Sequence, residues 1–268
     1  MPEDRPNWAK TRVTPLPSAG AIAERLTWLG HATVLLELSG VRLLTDPVLR
    51  SRLVHLRRRV PEPADPGALD AVLITHGHRD HLDLPSLRRL DPGATMVAAP
   101  SASRWLLRLG RPVVALPPGE ETWIGDVAVR AVPAVHSGRR APFPAPGGAV
   151  GFIMEGTRRV YFAGDTEVFP GMAALAEALD VALVPVWGWG PSLGAGHMDP
   201  GQAAEAIALL RPRLAVPIHW GTFLPLGLGR GHAHLLRDPP HEFAAHVSTL
   251  APATHVAILA PGASLELG

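Results

Sequence analysis

One short stretch, LITHGHRDHLD at residues 73–83, constrains the fold of this chain more than any other. It follows an apolar run and contains three histidines and two aspartates within eight positions. On a helix, positions two apart point to different sides, whereas in an extended chain His76 and His78 share a face. Asp80 and His81 are adjacent, so the chain must turn for both to reach inward. The stretch is therefore predicted to be a metal-binding loop that leaves a buried strand.

Further donors for a metal site follow other apolar runs. His136 comes after RAVPAV, Asp165 after VYFAG, and His219 lies in AVPIHW. Active-site groups commonly lie beyond the carboxyl ends of strands. Together with the first motif, these residues make five histidines and two aspartates, which suit two adjacent divalent ions roughly 3.5–4 Å apart with one shared carboxylate. Since the chain has no cysteine, imidazole and carboxylate donors predict zinc, with manganese or iron as alternatives.

The composition bounds the class of protein. The chain has 268 residues, of which 47% are apolar and 18% charged, as in a globular protein. A net charge of +1 gives no field that would favour nucleic acid or a membrane surface. No apolar run approaches the roughly 20 residues that span a bilayer, and the start lacks a signal-like apolar segment. We therefore expect a cytoplasmic protein without a transmembrane segment.

The order of predicted elements indicates an α/β fold. Strand-like runs come early and again in the middle of the chain, and each group is followed by helix–strand alternation. This order predicts two packed β-sheets with helices outside, with residues 1–24 as a Pro-rich N-terminal arm and residues 25–268 as one domain. Helices are predicted at SASRWLLRLG (from a Ser cap to Gly110), GMAALAEAL, PGQAAEAIALL and PPHEFAAHVSTL, and RSRLVHLRRRVPEP is expected to be an irregular basic connection.

The motifs together resemble the metallo-β-lactamase fold superfamily. Within it they are most similar to N-acylphosphatidylethanolamine-hydrolysing phospholipase D and its bacterial relatives, and more distantly to the ascorbate-phosphate lactonases. The resemblance runs from about residue 26 to residue 225. The segments that carry it are WLGHATVLLEL, LTDPV, HGHRDHLD, FAGDTEVF, GHMDPGQAAEA and IHWGTF.

This resemblance implies an αββα sandwich and a dinuclear metal-dependent hydrolase. It predicts a metal-bridging hydroxide that attacks a small-molecule or lipid phosphodiester, with a lactone or other ester as the alternative substrate. Iron members that perform oxygen chemistry usually carry an acid at the second histidine, so His78 favours hydrolysis. A non-catalytic metal- or partner-binding protein remains an alternative, and the complete donor set argues against it. The implied ligands are His76, His78 and His136 for one ion, Asp80, His81 and His219 for the other, and Asp165 as the bridge.

Three residues are predicted to act in catalysis. Asp80 and Asp165 would hold the ions and keep the hydroxide oriented. His197 precedes a predicted helix whose capping box pairs Asp199 with Gln202, and it could meet a substrate oxyanion there. Asp199 itself is expected to serve the helix end.

Other polar and aromatic residues are candidates for supporting roles. His31 and Asp46 lie at strand ends and would either orient the ligand loops or serve plain turns. Trp187 and Trp189 would line the pocket or belong to the core. His234, in a Gly-rich loop, is a weaker candidate.

Two further features have open interpretations. The arginines of segment 50–59 could bind substrate phosphate, contact a membrane surface or form a solvated face, and Arg139–Arg140 could bind phosphate or form a solvated face. GPSLG at residues 190–194 fits the pattern of a serine nucleophile elbow. That elbow needs a helix directly after the serine, whereas here the helix is predicted only near Pro200, which argues against a serine hydrolase.

Overall fold

The computed structural model describes residues 24–136 and 148–268. The predicted N-terminal arm, except for Glu24, and the Arg139–Arg140 pair lie outside the described residues. The proposed division of the chain at residue 24 therefore stays a prediction.

The described residues form seventeen strands and four α-helices. The strands are β1 Arg25–Gly30, β2 Thr33–Leu38, β3 Val41–Thr45, β4 Arg52–Leu53, β5 Leu56–Arg58, β6 Ala71–Ile74, β7 Thr95–Ala98, β8 Val113–Ala115, β9 Glu121–Ile124, β10 Val127–Pro133, β11 Val150–Glu155, β12 Arg159–Phe162, β13 Val181–Pro185, β14 Leu214–Ile218, β15 Phe223–Pro225, β16 His255–Val256 and β17 Ser264–Glu266. The helices are α1 Leu84–Leu87, α2 Pro100–Leu106, α3 Pro200–Leu210 and α4 Pro239–Leu250, and 3-10 helices cover Leu107–Leu109, Met172–Leu175 and Arg230–Leu236.

The strands build two mixed sheets of seven strands each and a small third sheet. The first sheet has the order β17-β1-β2-β3-β6-β7-β8 and the second the order β16-β14-β13-β12-β11-β10-β9. In both, one half is antiparallel and the other half parallel. Parallel strands run in the same direction. In each sheet, the strand ends that carry polar loops therefore lie along one edge.

Period-two alternation explains why the sheets form layers. In β2, Leu36 joins the large core that also contains strands of the second sheet, whereas its neighbour Leu35 faces the outer cluster. In β6, Leu73 likewise belongs to the large core and its neighbour Val72 to the outer cluster. Helices α1 and α2 cover the outer cluster, while α3 and α4 pack together and against β13 and β14. Because successive side chains of a strand point to opposite faces, both faces are apolar and both are covered, which confirms the predicted αββα architecture.

The predicted helix boundaries are only partly right. Helix α3 begins with the predicted capping box, in which the Asp199 side chain accepts from the Gln202 N–H at 2.8 Å and the Gln202 side chain accepts in return. Helix α2, however, begins at Pro100 without a side-chain cap, so the expected Ser cap was wrong, whereas the stop at left-handed Gly110 is confirmed. GMAALAEAL forms only a short 3-10 turn, because the chain turns away at Ala178, which has a φ of 48°.

Two segments form hairpins in the structure. RLTWLGHATVLLEL forms the β1–β2 hairpin, because His31 turns the chain with a φ of 54°. The segment expected to be an irregular connection contains the β4–β5 hairpin. This hairpin pairs with β15, far along the chain, to form the third sheet. Its inward side chains, Leu53 and Leu56, pack on Phe223 in a small separate cluster. In the described part of the chain, no helix is long and apolar enough to cross a membrane.

Candidate metal centre

The predicted donors lie together along one edge of the two sheets. His76, His136, Asp165 and His219 follow the carboxyl ends of β6, β10, β12 and β14. These strands run in the same direction within each sheet, since β10 is two antiparallel steps from β12 and β14 is parallel to β13. The sheet topology therefore collects donors that are far apart in the sequence.

The donors form two groups in which all ligand atoms lie within 4.8 Å of one another. The first group matches the predicted first ion together with the bridging carboxylate. The second matches the predicted second ion and adds His31, which we expected only to orient the loops. The first group is His76, His78, His136 and Asp165, and the second is His31, Asp80, His81 and His219.

Asp165 lies between the two groups. Its Oδ1 is 3.2 Å from His219 Nε2, and its Oδ2 is 3.1 Å from His81 Nε2. The same Oδ2 is 3.9 Å from Nε2 of both His76 and His136. One buried carboxylate is thus within reach of both sets of imidazoles, which is the position that a shared ligand requires.

Hydrogen bonds at Nδ1 aim most of the imidazoles at the centre. His136 Nδ1 is 2.7 Å from the Gly196 carbonyl and His219 Nδ1 is 2.9 Å from the Trp187 carbonyl. Because a carbonyl can only accept, each Nδ1 must carry the proton, which leaves Nε2 with a free lone pair. His78 is oriented the other way, with Nδ1 2.9 Å from His136 Nε2. Such outer partners fix ring orientation and tautomer in metal sites.

The site fits divalent cations on the chemistry of its own atoms. His76 Nε2 and both carboxylate oxygens of Asp165 are buried and have no hydrogen-bond partner among the described residues. Buried polar atoms are rarely left unpaired, and the exceptions are explained by a bound ion, an ordered water or a functional role. The orphaned atoms converge, and all are acceptors or anionic, so two divalent cations would satisfy them.

Burial and neighbouring charges shift the pKa values of several residues at the centre. Burial, with the neighbouring His136 ring, lowers the pKa of His78 to about 4, and burial together with His219 lowers that of His31 to about 3. Burial opposes ionisation of Asp165, but His219 and His81 outweigh it, so the pKa of this carboxyl lies well below its usual range. His81 differs, because Asp165, Asp46 and Asp80 outweigh its burial and raise its pKa well above the usual value. The neutral imidazole of His78 and the ionised carboxylate of Asp165 are forms that bind metal.

Asp46 forms hydrogen bonds with two residues of the loop that carries the ligands. Its Oδ2 accepts hydrogen bonds from the Thr75 hydroxyl at 2.6 Å and from His81 Nδ1 at 2.8 Å, and its Oδ1 accepts from the Thr75 N–H at 2.8 Å. The residue is fully buried. Thr75, which sequence reasoning missed, also lies 3.0 Å from His76 Nδ1 through its hydroxyl. One carboxylate thus orients one imidazole of each group.

We expect Asp46→Asn to weaken metal binding by about 10–100-fold, the usual loss when an outer partner of a ligand is changed. An amide NH₂ facing His81 would reverse its tautomer and put the proton on Nε2, which faces Asp165. Competition against a chromophoric chelator measures the change. Asp83→Asn is the matched control, since Asp83 is equally buried but pairs with Arg50. Unchanged affinity in Asp46→Asn would show that Asp46 has only a turn role.

Backbone strain marks the loops around the centre. His31, Asp46 and His219 have φ values of 54°, 33° and 64°, a region that side chains other than glycine seldom adopt. Gly164, directly before Asp165, has a φ of 61°, and a Cβ there would come within 2.7 Å of the Thr75 side chain. Strain of this kind is found where the surroundings hold a functional geometry.

The aromatic candidates take different positions. The Trp187 side chain is half-buried against the core and donates its indole N–H to the Gly190 carbonyl. Its main contribution is therefore to packing. Trp189 instead donates its N–H to Asp80 Oδ2 at 3.1 Å. His234 is exposed, stacks on His232 at 6.5 Å and belongs to neither donor group.

The arginines of segment 50–59 divide between internal and exposed positions. Arg50 forms two hydrogen bonds with the Asp83 carboxylate. Arg58 is buried, lies over the Phe223 ring and donates to the carbonyls of Leu29 and Val48. These two side chains hold the fold, so a phosphate-binding role for them was wrong. Arg52 and Arg57 are exposed.

His197 reaches the centre from the loop before α3. Its Nε2 is 3.3 Å from Asp165 Oδ2, and its Nδ1 is 3.0 Å from the Gly194 carbonyl. Glu167, which the sequence analysis missed, accepts from the Gly196 N–H at 3.2 Å and so ties down this loop. Its place directly after the AGDT motif was the only signal in the sequence. Ser192 is exposed and no helix follows it until α3, as expected from the argument against a serine elbow.

Comparison with known proteins places the chain in a family. The Beta-lactamase superfamily domain matches residues 41–220. A UPF0173 metal-dependent hydrolase of Methanopyrus kandleri is 33% identical over 249 residues, which cover 90% of this chain and 99% of the relative. The chain belongs to the UPF0173 family of metal-dependent hydrolases. A second UPF0173 hydrolase, from Aeropyrum pernix, is 34% identical over 264 residues and covers 90% of this chain and 97% of the relative.

Solved structures agree with the fold of this UPF0173 protein. Igni18, a metallo-hydrolase of Ignicoccus hospitalis, aligns with a TM-score of 0.68 and 26% identity over 91% of this chain and 98% of its own. CmlA, a diiron β-hydroxylase of Streptomyces venezuelae, has the same TM-score with 20% identity over 93% of this chain and 55% of its own, and shares the fold alone. The predicted superfamily is confirmed, whereas the finer likeness to phospholipase D stays a prediction.

Proposed function

We propose that this metal-dependent hydrolase cleaves a phosphodiester at a centre of two divalent ions, with zinc as the first candidate and manganese or iron as alternatives. The observation that carries the proposal is the position of Asp165, whose oxygens lie within 3.9 Å of imidazoles from both donor groups. A single-ion site would not need a second group of donors around the same carboxylate. The proposed ligands are His76, His78 and His136 for one ion, Asp80, His81 and His219 for the other, and Asp165 for both.

Two ions at this centre would supply a water that ionises near neutral pH and would polarise the bond under attack. The residues of the chain provide the orientation that this chemistry needs. The Nδ1 hydrogen bonds of His136 and His219 hold their rings so that no rotation is required when substrate arrives. Asp165, ionised and buried, keeps its charge directed into the centre. Preorganised groups of this kind are the main source of transition-state stabilisation.

His197 would contact the substrate. Burial opposes protonation of this ring, but Asp165 outweighs it, so the pKa of His197 is raised. Its Nδ1 is occupied by the Gly194 carbonyl, so any N–H offered to substrate would come from Nε2, which faces the centre. That N–H suits an oxygen that gains negative charge, either as a hydrogen-bond donor or as the acid that protonates the leaving group.

The choice of a phosphodiester rests on the resemblance of the FAGDTEVF, GHMDPGQAAEA and IHWGTF segments to phospholipase D relatives. A pair of ions also suits in-line displacement at phosphorus, because both the attacking and the leaving oxygen can be neutralised. Lactone or other ester hydrolysis is the alternative on the same centre. A lipid is the proposed form of the diester. A non-catalytic role is disfavoured because none of the proposed metal ligands is missing.

The substrate class can be tested with the reconstituted protein. We expect cleavage of bis(p-nitrophenyl) phosphate when zinc or manganese is present and no cleavage after chelation. An aliphatic γ-lactone and p-nitrophenyl acetate serve as the competing substrates. Lactone turnover without diester cleavage would replace the phosphodiester with an ester as substrate, and inactivity on all three with two ions bound would argue against this set of substrates as a whole.

His197→Ala should lower kcat/KM by about 10²-fold or more, the scale of losing one oxyanion donor, while metal content stays unchanged. Asp199→Ala, two residues away, should instead cost about 1 kcal/mol of stability through the lost helix cap, with milder kinetic effects. Paired kinetics and thermal melts distinguish the two variants. Normal turnover in His197→Ala would remove this histidine from the proposed mechanism.

A further inference from the structure

Asp80 differs from the other proposed carboxylate ligand in its surroundings. Its side chain is 16% exposed, whereas that of Asp165 is 1% exposed. Its Oδ2 is 3.8 Å from Nε2 of both His81 and His219. A partly exposed carboxylate on a loop can rotate towards water, so its direction must be fixed if it is to serve the second ion.

Two N–H groups from outside the predicted ligand set converge on that oxygen. His31 Nε2 is 3.2 Å from Asp80 Oδ2, and Trp189 Nε1 donates to the same atom at 3.1 Å. One donor precedes Asp80 by 49 residues in the sequence, and the other follows it by 109 residues. Two hydrogen bonds on one oxygen leave the carboxylate little freedom to turn.

His31 is itself rigidly held. Its backbone N–H donates to the Thr222 hydroxyl at 2.7 Å, and its carbonyl accepts from the Trp28 indole and the His219 N–H, both at 2.9 Å. Its ring lies against the His219 ring with centroids 3.8 Å apart. These contacts stabilise the left-handed backbone of this residue, which has a φ of 54°, and thereby fix the position of its imidazole.

Trp189 is supported by the third sheet. It packs against the small cluster that includes Leu53, Leu56 and Phe223. At the tip of the β4–β5 hairpin, the His55 ring meets the Trp189 ring edge-on, with centroids 5.1 Å apart. The hairpin thereby supports the indole and limits its movement.

We propose that His31 and Trp189 are positioning residues for Asp80, which set the affinity of the second ion without binding it. This inference rests on the proposed two-ion centre. Although His31 belongs to the second group of donors, its Nε2 faces the Asp80 carboxylate, and a nitrogen that carries the hydrogen-bonding proton cannot also bind a cation. Trp189 can only donate. Outer partners of metal ligands typically contribute 10–100-fold in affinity.

The test is a zinc titration of metal-free protein in competition with a chromophoric chelator, which resolves the two binding steps. We expect Trp189→Phe to raise the Kd of one of the two ions by about 10–100-fold and to leave the other ion unaffected. Trp187→Phe is the matched control, because that indole donates to the Gly190 carbonyl and not to a proposed ligand. Thermal melts of the metal-free variants confirm that each one folds.

Substitutions of His31 separate positioning from ligation. His31→Gln retains an N–H donor and should bind both ions nearly as the parent does, whereas His31→Ala should resemble Trp189→Phe. Loss of the second ion in His31→Gln would overturn the positioning role and make His31 a ligand. Equal affinity in Trp189→Phe and the parent would also overturn the inference. A parent protein that takes fewer than two ions would instead remove the two-ion centre itself, together with this refinement.

Discussion

Asp165→Asn should abolish hydrolysis and reduce the bound metal from two ions per chain to one or none. The Asp165 carboxylate lies between the two donor groups, at 3.9 Å from His76 of the first and 3.1 Å from His81 of the second. An amide has the same size, but it lacks the charge and offers only one acceptor oxygen. Changes to outer partners already cost 10–100-fold, so the loss of a shared ligand should lower kcat/KM by more than about 100-fold. Steady-state kinetics and elemental analysis of the same sample measure both effects.

Asp70→Asn is the control for this substitution. Asp70 lies just before β6, at the end of the strand opposite the centre, where it accepts the Arg42 N–H at 2.8 Å. It should keep both ions and full activity, even if stability falls. An Asp165→Asn protein that retains two ions and turns over normally would contradict the bridging role.

Removal of the metal should lower the thermal stability substantially. A ligand present at about 1,000 times its Kd stabilises the native state by about 4 kcal/mol. At roughly 2–4 °C per kcal/mol for a chain of this size, we expect chelation to lower Tm by about 10 °C. The physical reason is that a cation which binds the folded centre, and not the unfolded chain, shifts the folding equilibrium towards the folded state. Calorimetry with zinc, after chelation, and after zinc is restored measures the shift.

The Asp165→Asn variant also serves as a control for chelation. Because it is expected to bind little metal, its Tm should change by far less than that of the parent when chelator is added. The same shift in both proteins would indicate that the chelator acts elsewhere, and identical melts of the parent with and without metal would contradict a structural contribution of the ions.

The donor set could be predicted because each donor follows an apolar strand, and strand direction alone brings those ends to one edge. His136 is an example, since it follows the buried run RAVPAV, and His219 follows AVPI in the same way. The capping box before α3 was equally local and is confirmed. Features of this kind depend on residues within a few positions of one another.

The surroundings of Asp80 could not be predicted in the same way. Trp189 and His31 reach this carboxylate through the tertiary fold, and no periodic pattern links positions so far apart. The β4–β5 hairpin was not predicted because its strands have only two and three residues. They are stabilised by tertiary pairing with β15. The apolar GMAALAEAL stretch was misjudged because helix propensity is a weak indicator and the tertiary fold can override it.

The most direct test of the two-ion centre is to titrate metal-free protein with zinc while bound metal and bis(p-nitrophenyl) phosphate hydrolysis are followed in the same sample. The seven proposed ligands, of which Asp165 is shared, predict saturation at two ions per chain, with full activity only when the second ion is bound. Saturation at one ion per chain with full activity, or hydrolysis that persists without metal, would contradict the account.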